Sequence, residues 1–152
     1  MEARLRSAKG FTLIEVLIVV VIMAVLAATV IPQFASSTED AKQSSANFNL
    51  HTLRSQIDLY KVHHRGAVPA ITAGALPQLT LATNESGATG TAGPSYPFGP
   101  YVLSALPPNP FTGLNTVTAT GAFPPTAESG NGGWLYHAAT GQIAIDDDYL
   151  TW

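Results

Sequence analysis

The chain has 152 residues, of which 46% are hydrophobic and only 11% charged, against roughly 25% charged in an ordinary soluble domain. It contains no cysteine, which excludes disulfides, a thiol-linked lipid anchor and thiol catalysis. A net charge of −3 argues against nucleic acid as a partner.

Residues 1–10 carry Arg4, Arg6 and Lys9 against Glu2 alone, whereas the rest of the chain carries four bases and nine acids. A basic end ahead of an apolar run is a topology signal: the positive flank stays cytoplasmic and the chain beyond it crosses the membrane. From Val16 to Thr38 there are 23 consecutive residues without a charge. About 20 residues of helix span a bilayer, so the length predicts a membrane-spanning helix. The run is too long for the apolar part of a cleaved signal peptide, and no Ala-x-Ala triplet closes it. A buried soluble helix of this character would need a larger core than the chain can build.

Glu15 is the single ionisable residue between Lys9 and Glu39. An acid inside lipid is unfavourable and is usually functional. One turn from the cytoplasmic boundary it either reaches back to the headgroups or awaits a positive partner within the membrane. The residues alone leave both readings open.

Beyond Pro32 the composition turns polar, yet Ala46, Leu50, Leu53, Ile57 and Tyr60 recur at spacings of 4, 3, 4 and 3. That is one face of an amphipathic helix. Lys42, Arg54, Asp58 and Lys61 lie off the stripe, and Gly66 and Pro69 end it. The spacing predicts a helix from residue 11 to about 64, kinked at Pro32, where a backbone donor is lost.

Residues 65–152 are punctuated by Gly and Pro. "YVLSAL" is read as a short strand or helical turn, "NTVTAT" as a strand, and 83–93 as a surface loop. "GWLYHAATGQIAIDD" predicts an antiparallel hairpin with a four-residue connection at "AATG". Its apolar face suits the Leu50–Tyr60 stripe. The fold class is therefore α+β: a long N-terminal helix, membrane-spanning in its first half and amphipathic in its second, packed against a small antiparallel sheet.

His63 and His64 are adjacent and so diverge by about 100° on a helix, which is poor for chelation. With His51 they are placed at the surface of the helix end, and His137 on the polar face of a strand. Asn84-Glu85-Ser86 fits a glycosylation sequon. No nucleophile elbow, phosphate loop, His-Glu-x-x-His or dinucleotide fingerprint is present, so no enzyme is proposed.

"KGFTLIEV", Lys9 to Val16, resembles the processing site of type IV pilins and of the pseudopilins of type II secretion. The resemblance implies that a membrane peptidase removes residues 1–10, cutting between Gly10 and Phe11, and methylates Phe11. It implies that Glu15 pairs with the terminal ammonium of a neighbouring subunit as a helical homo-polymer grows. Residues 11–34 would then be the transmembrane and assembly helix, 35–64 its amphipathic continuation, and 65–152 a β-rich globular region. Ala24 and Ala28 form a small-xxx-small pair allowing close helix approach. Ala24 stands where many relatives carry glycine, and Pro32 where relatives often carry proline. Melting between Ala24 and Pro32 in a filament is less favoured, because alanine is roughly 1 kcal/mol better than glycine in a helix.

The lack of a cysteine pair, with "DLYKVHHRGAVPA" and "YVLSALPPNPFTG", leans toward the major pseudopilin. Implied partners are the prepilin peptidase, an inner-membrane assembly platform, minor pilins or pseudopilins, and the bilayer. Implied locations are the bacterial inner membrane, with the N-terminus cytoplasmic, and then a filament in the periplasm or at the cell surface. The alternatives are a surface pilin for adhesion, motility or DNA uptake, and an anchored periplasmic binding domain that never polymerises. Major pseudopilins commonly bind calcium in an acidic, glycine-rich loop near the C-terminus. Here the acidic cluster is Asp146, Asp147 and Asp148. On extended backbone these alternate sides, and a solvated strand end is expected in preference to a calcium site.

Overall fold

The computed structural model describes residues 10–146. The elements in chain order are α1 (Leu13–His63), α2 (Pro77–Thr80), β1 (Ala82–Thr83), β2 (Thr89–Gly90), β3 (Val117–Ala119), β4 (Trp134–His137) and β5 (Gln142–Ile145). The chain divides into two compact units, Met1–Asp40 and Ala41–Trp152.

In the first unit the apolar part of α1 has no cover among the described residues. Every large apolar side chain described from Leu13 to Phe34 is exposed, from 42% at Val30 to 82% at Leu13. The backbone stays helical through Pro32.

The second unit is built on the amphipathic stripe. Ala46, Leu50, Leu53, Ile57 and Tyr60 are all buried, as their spacing predicts. They pack with Leu76, Leu79, Leu106, Val117, Trp134, Tyr136, Ile143 and Ile145 in one core. The helix ends where Arg65 turns left-handed (φ 55°) and the Gly66 N–H reaches back to the Lys61 carbonyl at 2.8 Å. That six-to-one bond satisfies a carbonyl the ending helix would otherwise orphan.

The β4–β5 hairpin forms with the expected connection. Trp134 faces Ile145 and Tyr136 faces Ile143 across the pair, so four large apolar side chains share one side. Gly141 closes the turn at φ +73°. A Cβ there would meet Lys61 Cε at 2.8 Å and Val68 Cγ1 at 2.9 Å, so glycine lets the turn press onto the end of α1. The other side is closed too: Leu135 and Ala144 are also buried, which explains why these strands do not alternate apolar and polar.

Four details differ from the sequence expectation. β3 joins β4 in parallel, Val117 opposite Trp134, so the sheet is mixed; the long 120–133 connection provides the crossover that parallel pairing requires. Within "NTVTAT" only Val117–Ala119 is strand. "YVLSAL" is neither strand nor helix, because the Tyr101 and Val102 N–H groups both go to the Leu79 carbonyl at 2.8 Å. The 83–93 stretch contains a small hairpin, with Ala82 opposite Gly90 and Thr83 opposite Thr89. Its turn is organised by Asn84 Oδ1, which accepts from the Ser86 N–H, the Ser86 hydroxyl and the Ala88 N–H.

Candidate functional site

The N-terminal site is built from four residues. Gly10 and Phe11 precede the helix in exposed, non-helical chain. Among the described residues nothing lies within 4 Å of where a Gly10 Cβ would stand. Thr12 starts the helix: its carbonyl accepts the Val16 N–H at 3.3 Å, and its hydroxyl accepts the Glu15 N–H at 3.2 Å. Glu15 Oε2 reciprocates, accepting the Thr12 N–H at 3.0 Å and the Thr12 hydroxyl at 3.1 Å.

This is a capping box, Thr-x-x-Glu, in which two backbone N–H groups orphaned at a helix start are each satisfied by the other residue's side chain. The carboxylate also sits at the positive end of the helix dipole. Glu15 is thus engaged by neutral donors of its own chain, a third arrangement beside reaching for headgroups or awaiting a cation. The pattern of Thr12 and Glu15 is legible in the sequence, where the question of a charge in lipid overshadows it. Ala24 and Ala28 lie one turn apart on α1, both exposed.

His63 and His64 depart from their expected surface placement, whereas His51 is exposed. His64 is 4% exposed and lies four residues beyond Tyr60, the next step of the core stripe. Its ring stacks on Tyr60 at 3.9 Å. Its Nδ1 meets the Tyr60 carbonyl at 2.9 Å, and its Nε2 meets the Asn84 carbonyl at 2.9 Å and the Thr83 hydroxyl at 3.0 Å. It therefore ties the end of α1 to β1. His63 is half-buried, with Nδ1 3.0 Å from the Tyr101 hydroxyl. Burial raises the Tyr60 phenol above its ordinary range, with Tyr101 adding to it. Burial raises Tyr101 as well, partly offset by a hydrogen bond with Thr83. Tyr136 is raised furthest, by burial first and Tyr60 second.

Asp146 is not a solvated strand end. It is 1% exposed, because the Ser129–Gly133 loop folds over it. Its carboxylate accepts the Ser129 N–H at 2.7 Å, the Gly132 N–H at 3.0 Å and the Ser129 hydroxyl. Asp147 and Asp148 lie outside the described residues. Among the described residues no three His, Cys, Asp or Glu side chains gather as metal ligands would.

The sequence profile described as the prokaryotic N-terminal methylation motif matches residues 5–31. Residues 5–31 thus carry a prepilin-type methylation motif, and the chain is similar to proteins of type II secretion and of type IV pili. The chain is 42% identical over 57 residues to the type II secretion system core protein G of Pseudomonas aeruginosa, covering 38% of this chain and 40% of that one. It is 26% identical over 151 residues to the protein of the same name from Escherichia coli, covering 95% and 90%. It is also 39% identical over 59 residues to the type IV narrow pilus major component PilA5 of Thermus thermophilus, covering 39% and 51%. The match to the Pseudomonas protein thus spans two fifths of that relative. No solved structure matches the chain significantly.

Proposed function

We propose that this chain is the major subunit of a type II secretion pseudopilus, a mechanical filament element. It is made as an inner-membrane precursor, cut between Gly10 and Phe11, methylated on Phe11, and polymerised through α1. The observation that carries this reading is Glu15 at the head of an apolar helix left uncovered by the described residues. Removal of residues 1–10 takes away the leader's bases and leaves one new ammonium at Phe11. At about 4 Å an ammonium and a carboxylate attract roughly four times more strongly at an effective dielectric of about 20 than in bulk water. In the precursor the Thr12 donors hold the carboxylate. In the filament the neighbour's ammonium becomes its partner, with Ala24 and Ala28 letting helices approach. The assembly platform, the peptidase and minor pseudopilins are the partners this route requires.

The test separates the charge of Glu15 from its cap. Gln also serves at the third helical position of a capping box, so Glu15→Gln keeps the cap and removes the charge, whereas Glu15→Leu removes both. Both variants should insert in the membrane, and both should fall to background in cross-linked filament ladders. Normal assembly by Glu15→Gln would sink the electrostatic reading. An uncut N-terminus in the mature protein's mass spectrum would favour an anchored domain that never polymerises. The similarity to the Thermus pilus component favours a second reading, a surface pilus. Filaments sheared from cells at ordinary expression would select it.

A further inference from the structure

The family resemblance implies calcium in a glycine-rich loop near the C-terminus, and the described residues around Ser129–Gly133 do not fit that ion. Calcium needs six to eight oxygen ligands with free lone pairs. The oxygens that converge here, those of the Asp146 carboxylate and of the Gly132, Gly133 and Asp146 carbonyls, already face hydrogen-bond donors. The two Asp146 carboxylate oxygens accept two backbone N–H groups and the Ser129 hydroxyl. The carbonyls of Gly132, Gly133 and Asp146 converge on one atom, Asn109 Nδ2, at 3.0, 3.2 and 3.3 Å.

The orientation of that amide is set by its other end, because Asn109 Oδ1 accepts the Phe111 N–H at 2.9 Å. Asn109 is fully buried. Its own backbone is pinned by bonds to Leu114 and Gly113, each at 2.7 Å. A neutral amide nitrogen, positive at its hydrogens, thus occupies the centre of a carbonyl cluster of the kind a cation would seek.

We infer that Asn109 and Asp146 form a hydrogen-bond clamp that closes the loop ahead of β4 without a metal ion. Asn109 gathers the carbonyl oxygens and Asp146 gathers the N–H groups, so both polarities of the loop backbone are satisfied from within the chain. The clamp also fixes the approach to Trp134, whose indole Nε1–H donates to the Pro107 carbonyl at 2.9 Å, two residues before Asn109.

The experiment is thermal unfolding of the full chain in detergent micelles, followed by tryptophan fluorescence, in EDTA and in millimolar calcium chloride. The clamp predicts midpoints within about 1 °C of each other, whereas a calcium-filled site would raise the midpoint by about 4 °C or more in calcium. Asn109→Ala, which takes one donor from each of three carbonyls while Gly132 keeps the Thr112 hydroxyl and Gly133 the Asp146 N–H, should lower the midpoint by about 5 °C or more, equally in both buffers. Ser129→Ala, a milder change removing one donor to Asp146, should lower it by about 2–5 °C in both and serves if Asn109→Ala does not fold. A calcium-dependent rise in the unmodified protein overturns the inference. So does an unchanged midpoint in Ser129→Ala.

Discussion

The two halves of α1 are one continuous element with opposite requirements. Between Leu13 and Phe34 the described apolar side chains are exposed all round, with no partner among the described residues. Between Ala46 and Tyr60 a single stripe is buried to 3% exposure or less, and its partners are the core residues of the same unit. Helical propensity does not separate the halves; the angular distribution of apolar residues does. An all-round apolar helix needs an external apolar medium, lipid or copies of itself, whereas a striped one needs a single surface, which β4 and β5 supply. Stability is thus decided in the second half, and on the proposed function association belongs to the first.

The sharpest break of that comparison is Leu53→Ala. Leu53 is fully buried at the centre of the stripe, and truncating such a leucine typically destabilises by about 2–5 kcal/mol. Urea unfolding should show the loss, while membrane insertion through the first half stays intact. An unchanged midpoint would mean that the stripe is not what holds the globular unit together.

Alkaline pH should act next, and only on the second unit. The folded structure raises the phenol pKa values of Tyr60, Tyr101 and Tyr136 above the ordinary 10.0. The unfolded chain therefore gives up these protons first. The corresponding stability is fully present below pH about 10 and is lost as pH rises beyond it. A pH series of thermal midpoints should be flat in this respect up to about pH 9 and should fall above about pH 10. Tyr136→Phe should flatten that fall. It also removes the Tyr136 hydroxyl's bond to the Pro69 carbonyl, 2.8 Å long, for a loss of about 1 kcal/mol at neutral pH.

The sequence makes the helix and the hairpin legible because each is a local periodicity: 4, 3, 4, 3 along α1, and two apolar strands around Gly141. What escapes it has two causes. Where residue type is weighed before position, His64 goes to the surface, although it sits one further step of four along the buried stripe. Where the partner is distant in sequence, no local pattern exists: Asp146 is buried by Ser129 and Gly132, 17 and 14 residues away. The clamp residue Asn109 lies 37 residues from the Asp146 carbonyl that it meets. Three adjacent aspartates suggest solvent, and only the returning loop shows that the first of them faces inward. The Thr12–Glu15 box is local and could have been found from its spacing alone. The parallel entry of β3 depends on where a long loop goes, which composition does not determine.

The smallest expected effect on folding tests whether the second half of α1 has an assembly role as well. On the side away from the core stripe, Phe48 is 71% exposed, Leu59 43% and Val62 77%. Steps of 11 and 3 residues from Phe48 keep all three within about 60° of arc at 100° per residue, and Ser55 lies in the same sector. The charged residues Lys42, Arg54, Asp58 and Lys61 fall outside it. Phe48→Ser should change unfolding free energy by less than about 0.5 kcal/mol, as surface substitutions usually do. If association belongs to the first half alone, filament yield will be unchanged as well. If neighbouring copies also use this outward face, yield will fall while the urea midpoint stays put. That combination would place the boundary between stabilising and associating surfaces around the circumference of the helix as well as along its length.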